Sequence, residues 1–309
     1  MKNFISMTGT LLLAGGFLFG ACSNEEELVN NEQSNAQAVT TRTATGIKNI
    51  VYIEVNDINP LNAGSYTMND ASFFDAAIIF AANIRGNGDN VVLYNNPNVQ
   101  AVLSGKAKYI EPLQAKGIKV LLSILGDHTG LGVANMTDAQ VESFATQLAN
   151  AVNTYGLDGI DFDDEWAEYG KNGYPSGSTG SFSKLITALR DKMPADKWIT
   201  VFNYGYASEL SSVADKINYG MNAFFGSYDS YPAFGMTKAK WAAYAINLNA
   251  YNSSYYVGKY AAQTATDGMG AICLYDLRDT SAQSTLNTIA SKAFGSSVTY
   301  DGQSYSKDW

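Results

Sequence analysis

Apolar residues in this chain follow two rhythms. Short runs suit buried strands, and longer stretches repeating every three to four residues suit helices. IVYIEV (50–55) is rich in β-branched residues and reads as a first strand. FFDAAIIFAAN (73–83) is continuously apolar, as a strand covered on both faces should be, and is the second. RGNGDN then breaks the chain, and VVLYNN extends it as a hairpin; Gly86 and Gly88 are turn residues, since no phosphate loop follows. Residues 98–116 read as a helix interrupted by Pro112, and IKVLLSIL (118–125) as a third strand. Val141, Phe144, Ala145, Leu148 and Val152 recur at helical spacing, with a Thr137–Gln140 capping box before them and Gly156 as the stop. A fourth strand starts at Leu157. FSKLITALRDKM (182–193) is a helix ended by Pro194, WITVFNYG (198–205) a fifth strand and INYGMNAFFG (217–226) a sixth. Residues 238–249 read as a helix, SYYVGKY (254–260) as a short seventh strand, GAICLYD (270–276) as an eighth, and 282–294 as a last helix. Strands alternating with helices and no repeat of solenoid period predict a single α/β domain, a (β/α)8 TIM barrel over residues 47–309.

Composition narrows the chemistry. The 309 residues, 46% of them hydrophobic, suit one barrel with a sizeable core. A formal net charge of −9 without a Lys/Arg run excludes nucleic acid or an anionic membrane surface as the partner. One histidine (His128) and two cysteines (Cys22, Cys273) exclude a disulfide framework and a multi-histidine metal centre, so neither metal nor cofactor is expected. A serine triad would need His128, and no serine stands in a nucleophile elbow. Cys273 lies in an apolar strand and is expected to be a buried small hydrophobe. The domain is expected to be a monomer.

The stretch LDGIDFDDEWAEYG (157–170) organises the rest. In a strand, Ile160 and Phe162 share one face, while Asp161, Asp163 and Glu165 share the other. Three carboxyls on one face of a packed strand repel one another and lose solvation, so a structural role does not account for them. At the C-terminal end of a barrel strand they point to acid catalysis on a glycosidic or related bond. Asp158 has the other parity, sits at the start of the strand and is left without a role. Trp166, Tyr204, Tyr228 and Tyr275 stand at strand ends, where rings could pack on the C–H faces of sugars. His128 follows the third strand on the same rim and is either a substrate-rim or a structural residue.

DGIDFDDE fits the DxxDxDxE signature of glycoside hydrolase family 18, and with SILGDH before it the chain resembles the endoglycosidase H group, from about residue 51 to 290. That resemblance implies an endo-β-N-acetylglucosaminidase acting on the core of high-mannose N-glycans or glycoproteins. It makes Glu165 the general acid and then the base, and Asp163, coupled to Asp161, the group that orients the substrate's 2-acetamido N–H. The acetamido carbonyl is the nucleophile, so configuration is retained. An ionised Asp163, coupled to Asp161, is expected to disfavour a further charge on Glu165, so that the cluster shares protons and titrates as a unit. Tyr275 is expected to floor the sugar site. On the sixth strand, where relatives have Asn-x-Tyr, MNAFFG gives Asn222 and Phe224; the missing hydroxyl is expected to be replaced by Asn222 or Tyr204. A chitinase-like hydrolase and a non-catalytic surface glycan-binding lipoprotein are the competing readings; the short segment between the seventh and eighth strands argues against the first, and intact Glu165 against the second.

Residues 1–21 read as an export signal: Lys2, then the apolar run LLLAGGFLFGA, too short to span a membrane, ending at Cys22. FGAC resembles a lipobox, with Phe19 where Leu is usual, and SNEEE resembles the surface-export signal of Bacteroidota lipoproteins. The expectation is a surface-exposed outer-membrane lipoprotein, held only by a lipid on Cys22 and joined to the barrel by a polar tether over 22–46.

Overall fold

The computed structural model describes residues 46–309; the export signal, Cys22 and all but the last residue of the tether lie outside the described residues. Eight parallel strands close a barrel: Lys48–Glu54, Ala76–Asn87, Lys119–Leu125, Gly159–Asp163, Trp198–Phe202, Tyr219–Met221, Trp241–Asn247 and Ala271–Tyr275. Closure is read from the first strand, where Ile50 pairs with Ala76 of the second and with Cys273 of the eighth.

Strand alternation divides the core in two. Inward-facing Ile50, Tyr52, Ile78, Leu121, Met221 and Cys273 fill the barrel. Outward-facing Val51, Ile79, Leu122, Ile160 and Phe162 pack under the helices. Phe162 meets Phe182 of helix Ser181–Lys192 with ring centroids 5.5 Å apart. Each such side chain taken from water contributes roughly 1.5–3 kcal/mol. Helix Asp138–Tyr155 starts at the Thr137 capping box, with Gln140 closing it from the third helical position, and stops at Gly156 in the left-handed region. The hairpin is present, Asn90–Tyr94 pairing antiparallel with the second strand. Pro112 lies in the last of three short helices, Pro97–Ser104, Lys106–Tyr109 and Glu111–Ala115.

Two expectations are corrected. The seventh strand is WAAYAIN (Trp241–Asn247), inside the stretch read as a helix, and SYYVGKY lies in helix Ser254–Thr266. Strands and helices do not alternate throughout. After the fifth strand comes 3-10 helix Ala207–Lys216, and after the sixth the short strand Ser227–Tyr228 turns back antiparallel onto the seventh. Those two sectors carry no α-helix. The sixth strand spans three residues and the fourth five.

The C-terminal segment is clasped to the loop after the first strand. The Asn62 side chain donates to the Tyr305 carbonyl at 2.8 Å and accepts from its N–H at 2.9 Å. Ser306 bridges to Ile58, and Tyr109 donates to Asp308 at 2.7 Å.

Candidate active site

Alternation along Gly159–Asp163 turns Asp161 and Asp163 to the barrel interior, with Ile160 and Phe162 outward. Asp161 is fully buried and accepts from Ser123 Oγ (2.7 Å), Thr200 Oγ1 (2.6 Å) and Tyr52 Oη (3.1 Å), each from a different strand. Burial raises its carboxyl to about 6 against the opposing pull of those hydroxyls. Asp163, one step nearer the mouth, is buried, and its Oδ1 has no hydrogen-bond partner. Burial first, then the charges of Glu165, Asp161 and Asp164, pushes it up to about 8. Glu165 lies just beyond the strand and is half-buried; burial raises its carboxyl, opposed by a hydrogen bond from the Trp166 side chain. The mutual repulsion shows on Asp163, which its carboxyl neighbours raise, while Glu165 is raised chiefly by its own burial.

The carboxyls open into a cavity of about 320 Å³. Its walls are Tyr52, Phe80, Phe202, Phe225, Trp166 and Tyr275. Tyr275 stacks on Phe225 (5.2 Å, 19°) and meets the edge of Phe80 (6.0 Å, 81°). A larger concavity, about 560 Å³, lies beside the hairpin turn at Gly86–Asp89 and contains none of these carboxyls, so the chemistry belongs to the smaller one. Polar groups inside an otherwise aromatic cleft are what a sugar-cleaving site needs: rings for C–H faces, carboxyls for the bond.

Of the residues singled out in the sequence, Asp161, Asp163, Glu165, Trp166 and Tyr275 come together here. His128 is on the adjoining rim with Asn83 and Asp127; its ring is 5.5 Å from that of Trp166 and its Nδ1 is 3.3 Å from Glu168. Asn222 is not in the cavity. It is buried, donating to Ser227 Oγ (2.9 Å) and the Ala243 carbonyl (3.0 Å) and accepting from the Phe224 N–H (3.1 Å), so its amide holds the turn. Phe224 is exposed outside the cavity, and it is Phe225 that enters. Tyr204 is exposed and does not line it. Tyr228 donates to Asp267 away from the carboxyls. Asp158 accepts from the Val120 N–H (2.9 Å) and Gln114 (2.7 Å), tying the start of the fourth strand to the third. Tyr52, Phe80, Phe202 and Phe225 went unremarked in the sequence. For Tyr52 a signal existed: in IVYIEV it shares parity with Ile50, which puts a hydroxyl inside the barrel.

Residues 42–289 match the family described as glycosyl hydrolases family 18. A Flavobacterium sp. protein named endo-beta-N-acetylglucosaminidase is 42% identical over 271 residues, 85% of this chain and 86% of that one. Endo-beta-N-acetylglucosaminidase F1 of Elizabethkingia meningoseptica is 33% identical with both chains fully covered. Among solved structures, Bacteroides thetaiotamicron EndoBT-3987 with a Man5GlcNAc product superposes with a TM-score of 0.74 at 27% identity; the match covers 85% of this chain and 64% of that one.

Proposed function

Since the chain belongs to glycosyl hydrolases family 18 and is a glycoside hydrolase, we propose that it is an endo-β-N-acetylglucosaminidase cutting the GlcNAc-β1,4-GlcNAc bond of high-mannose N-glycans. The observation that carries this reading is the unpartnered Oδ1 of buried Asp163 beside Glu165, in a cavity lined by Tyr275. A buried acceptor with nothing to accept costs about 1–3 kcal/mol, and the N–H of a 2-acetamido group supplies the missing donor. The two relatives named endo-beta-N-acetylglucosaminidase support the activity.

Glu165 gives its proton to the departing glycosidic oxygen. The acetamido carbonyl oxygen attacks its own anomeric carbon, forming an oxazolinium ion, while Asp163 accepts the N–H and faces the growing positive charge. An N–H at Oδ1 favours ionised Asp163, whose proton leaves to solvent as substrate binds, while three hydroxyl donors fix Asp161 beside it. Water, deprotonated by Glu165, then opens the ring with retention. Trp166 and His128 stand together on the rim next to the acid.

The test is to incubate the barrel with a high-mannose glycoprotein and with chitin oligomers. Glycan release leaving one GlcNAc on the protein is expected; cleavage of chitin alone, or of neither, overturns the reading. Glu165→Gln should lose at least ~10³-fold in kcat while still binding glycan, because general acid catalysis contributes ~10²–10⁴-fold and the acid also serves as base. Near-normal turnover by that variant would remove Glu165 from its role.

The protein is further proposed to be anchored at the cell surface by a lipid on Cys22, on the strength of the apolar run ending at FGAC and the polar stretch after it. Cys22→Ala should move it to the soluble fraction with unchanged turnover; a variant still in the membrane fraction contradicts the anchor.

A further inference from the structure

Asp164 is a buried carboxyl set between the two reactive ones, and the reaction makes no use of it. Its parity turns it away from the barrel axis, toward the loops after the fourth and fifth strands. Regular pairing between those strands ends at Phe162 and Val201, just before the residues that do the chemistry. On the opposite edge the stitching goes on: the carbonyls of Glu165, Trp166 and Ala167 accept from the N–H groups of Gly126 (2.9 Å), His128 (2.8 Å) and Gly130 (2.9 Å). On the fifth-strand edge one contact replaces the ladder, Asp164 Oδ2 accepting from the Tyr206 N–H at 2.8 Å. The other oxygen accepts from Tyr169 Oη, which itself accepts from the Ala134 N–H at 3.1 Å. Close approach is built in: a Cβ on Gly205, at φ +55°, would lie 2.4 Å from both the carbonyl and the carboxylate of Asp164.

We propose that Asp164 is a positioning residue: its carboxylate stands in for the strand pairing that has ended, and so fixes the peptide carrying Asp163 and Glu165. The inference rests on Glu165 and Asp163 being the reacting pair. Without this stitch the segment is held along one edge only, and two carboxyls would move together, since Asp164 is bonded directly to both. A shift of about 1 Å in a reacting group costs on the order of 10²-fold in rate. An amide could turn its one acceptor oxygen to the Tyr206 N–H and keep that bond, whereas alanine keeps neither, so the side chain has to be removed to break the stitch.

The experiment compares Asp164→Ala with Tyr169→Phe in steady-state hydrolysis of a high-mannose glycoprotein, alongside thermal melting. Tyr169→Phe removes the phenol bond and keeps the stitch to Tyr206. Asp164→Ala should lose 10- to 100-fold in kcat with KM changed less than threefold, whereas Tyr169→Phe should lose less than threefold despite a lower Tm. A loss under tenfold for Asp164→Ala, a loss carried mainly by KM, or an equal loss in Tyr169→Phe overturns the proposal. If Asp164→Ala does not fold, Gly205→Ala, which presses on the stitch from the other side, is judged by the same limits. Glu165→Gln is run in parallel: if it stays active the reading of the acid has failed, a result separable from any behaviour of Asp164.

Discussion

Asp163 shows at the residue scale how the site works against the fold. A carboxyl in an unfolded chain titrates near ~3.9, whereas here it is held at about 8. Between those values the folded protein binds more protons than the unfolded one, so the stability this residue lends is full below pH ~4 and is lost as pH rises toward 8. Asp163→Asn should therefore melt a few degrees above the wild type at pH 8, with the gap closing near pH 4. A variant less stable than wild type at pH 8 would mean that the carboxyl is satisfied in a way the geometry does not show. The same change should slow glycoprotein hydrolysis at least ~100-fold, yet leave turnover of a preformed sugar oxazoline, which bypasses ring closure. Both carboxyls were legible in the sequence because alternation along a strand is a local rule. Their ionisation was not, because it is set by how deeply the completed barrel buries each one.

Single elements were legible where local chemistry and tertiary need agree. The Thr137–Gln140 box and Gly156 bound a helix that formed between those limits. WAAYAIN misled because alanine is the best helix former, and SYYVGKY because aromatic and β-branched residues favour strands. In both, position around the barrel overrode propensity: one has to close the wall between the sixth and eighth strands, and the other has to cover it. The turn after the sixth strand failed differently. Its register was carried over from relatives, while the Asn222 amide folds the chain so that Phe224 points out and Phe225 stacks on Tyr275. Phe225→Ala should accordingly lower kcat/KM on glycoprotein at least ~10-fold, the ring contact and its burial together being worth more than 1.4 kcal/mol. Phe224→Ala should change it less than threefold. Equal losses from the two would restore Phe224 to the site.

At the scale of the molecule, the clasp of Asn62 on Tyr305 joins residues 243 positions apart. Nothing in the composition of 301–309 announces it, since recognition lies in backbone groups that become available only when the barrel is closed. Asn62→Ala removes two hydrogen bonds from partly buried groups, so a loss of about 1 kcal/mol and a Tm lower by a few degrees are expected, with activity unchanged. The sectors after the fifth and sixth strands, which carry no α-helix, have a consequence of another sort, in the timing of local opening. Amides in the third strand sit beneath two neighbouring strands and a helix layer, whereas Tyr219–Met221 offers three residues with only 3-10 and extended chain outside. Hydrogen–deuterium exchange should show Tyr219–Met221 opening well before Lys119–Leu125, a gradient of protection running around the barrel. The turn bearing Phe225 follows the faster-opening strand, so the same experiment should show the Phe225 wall of the cleft exchanging before the wall that carries Glu165.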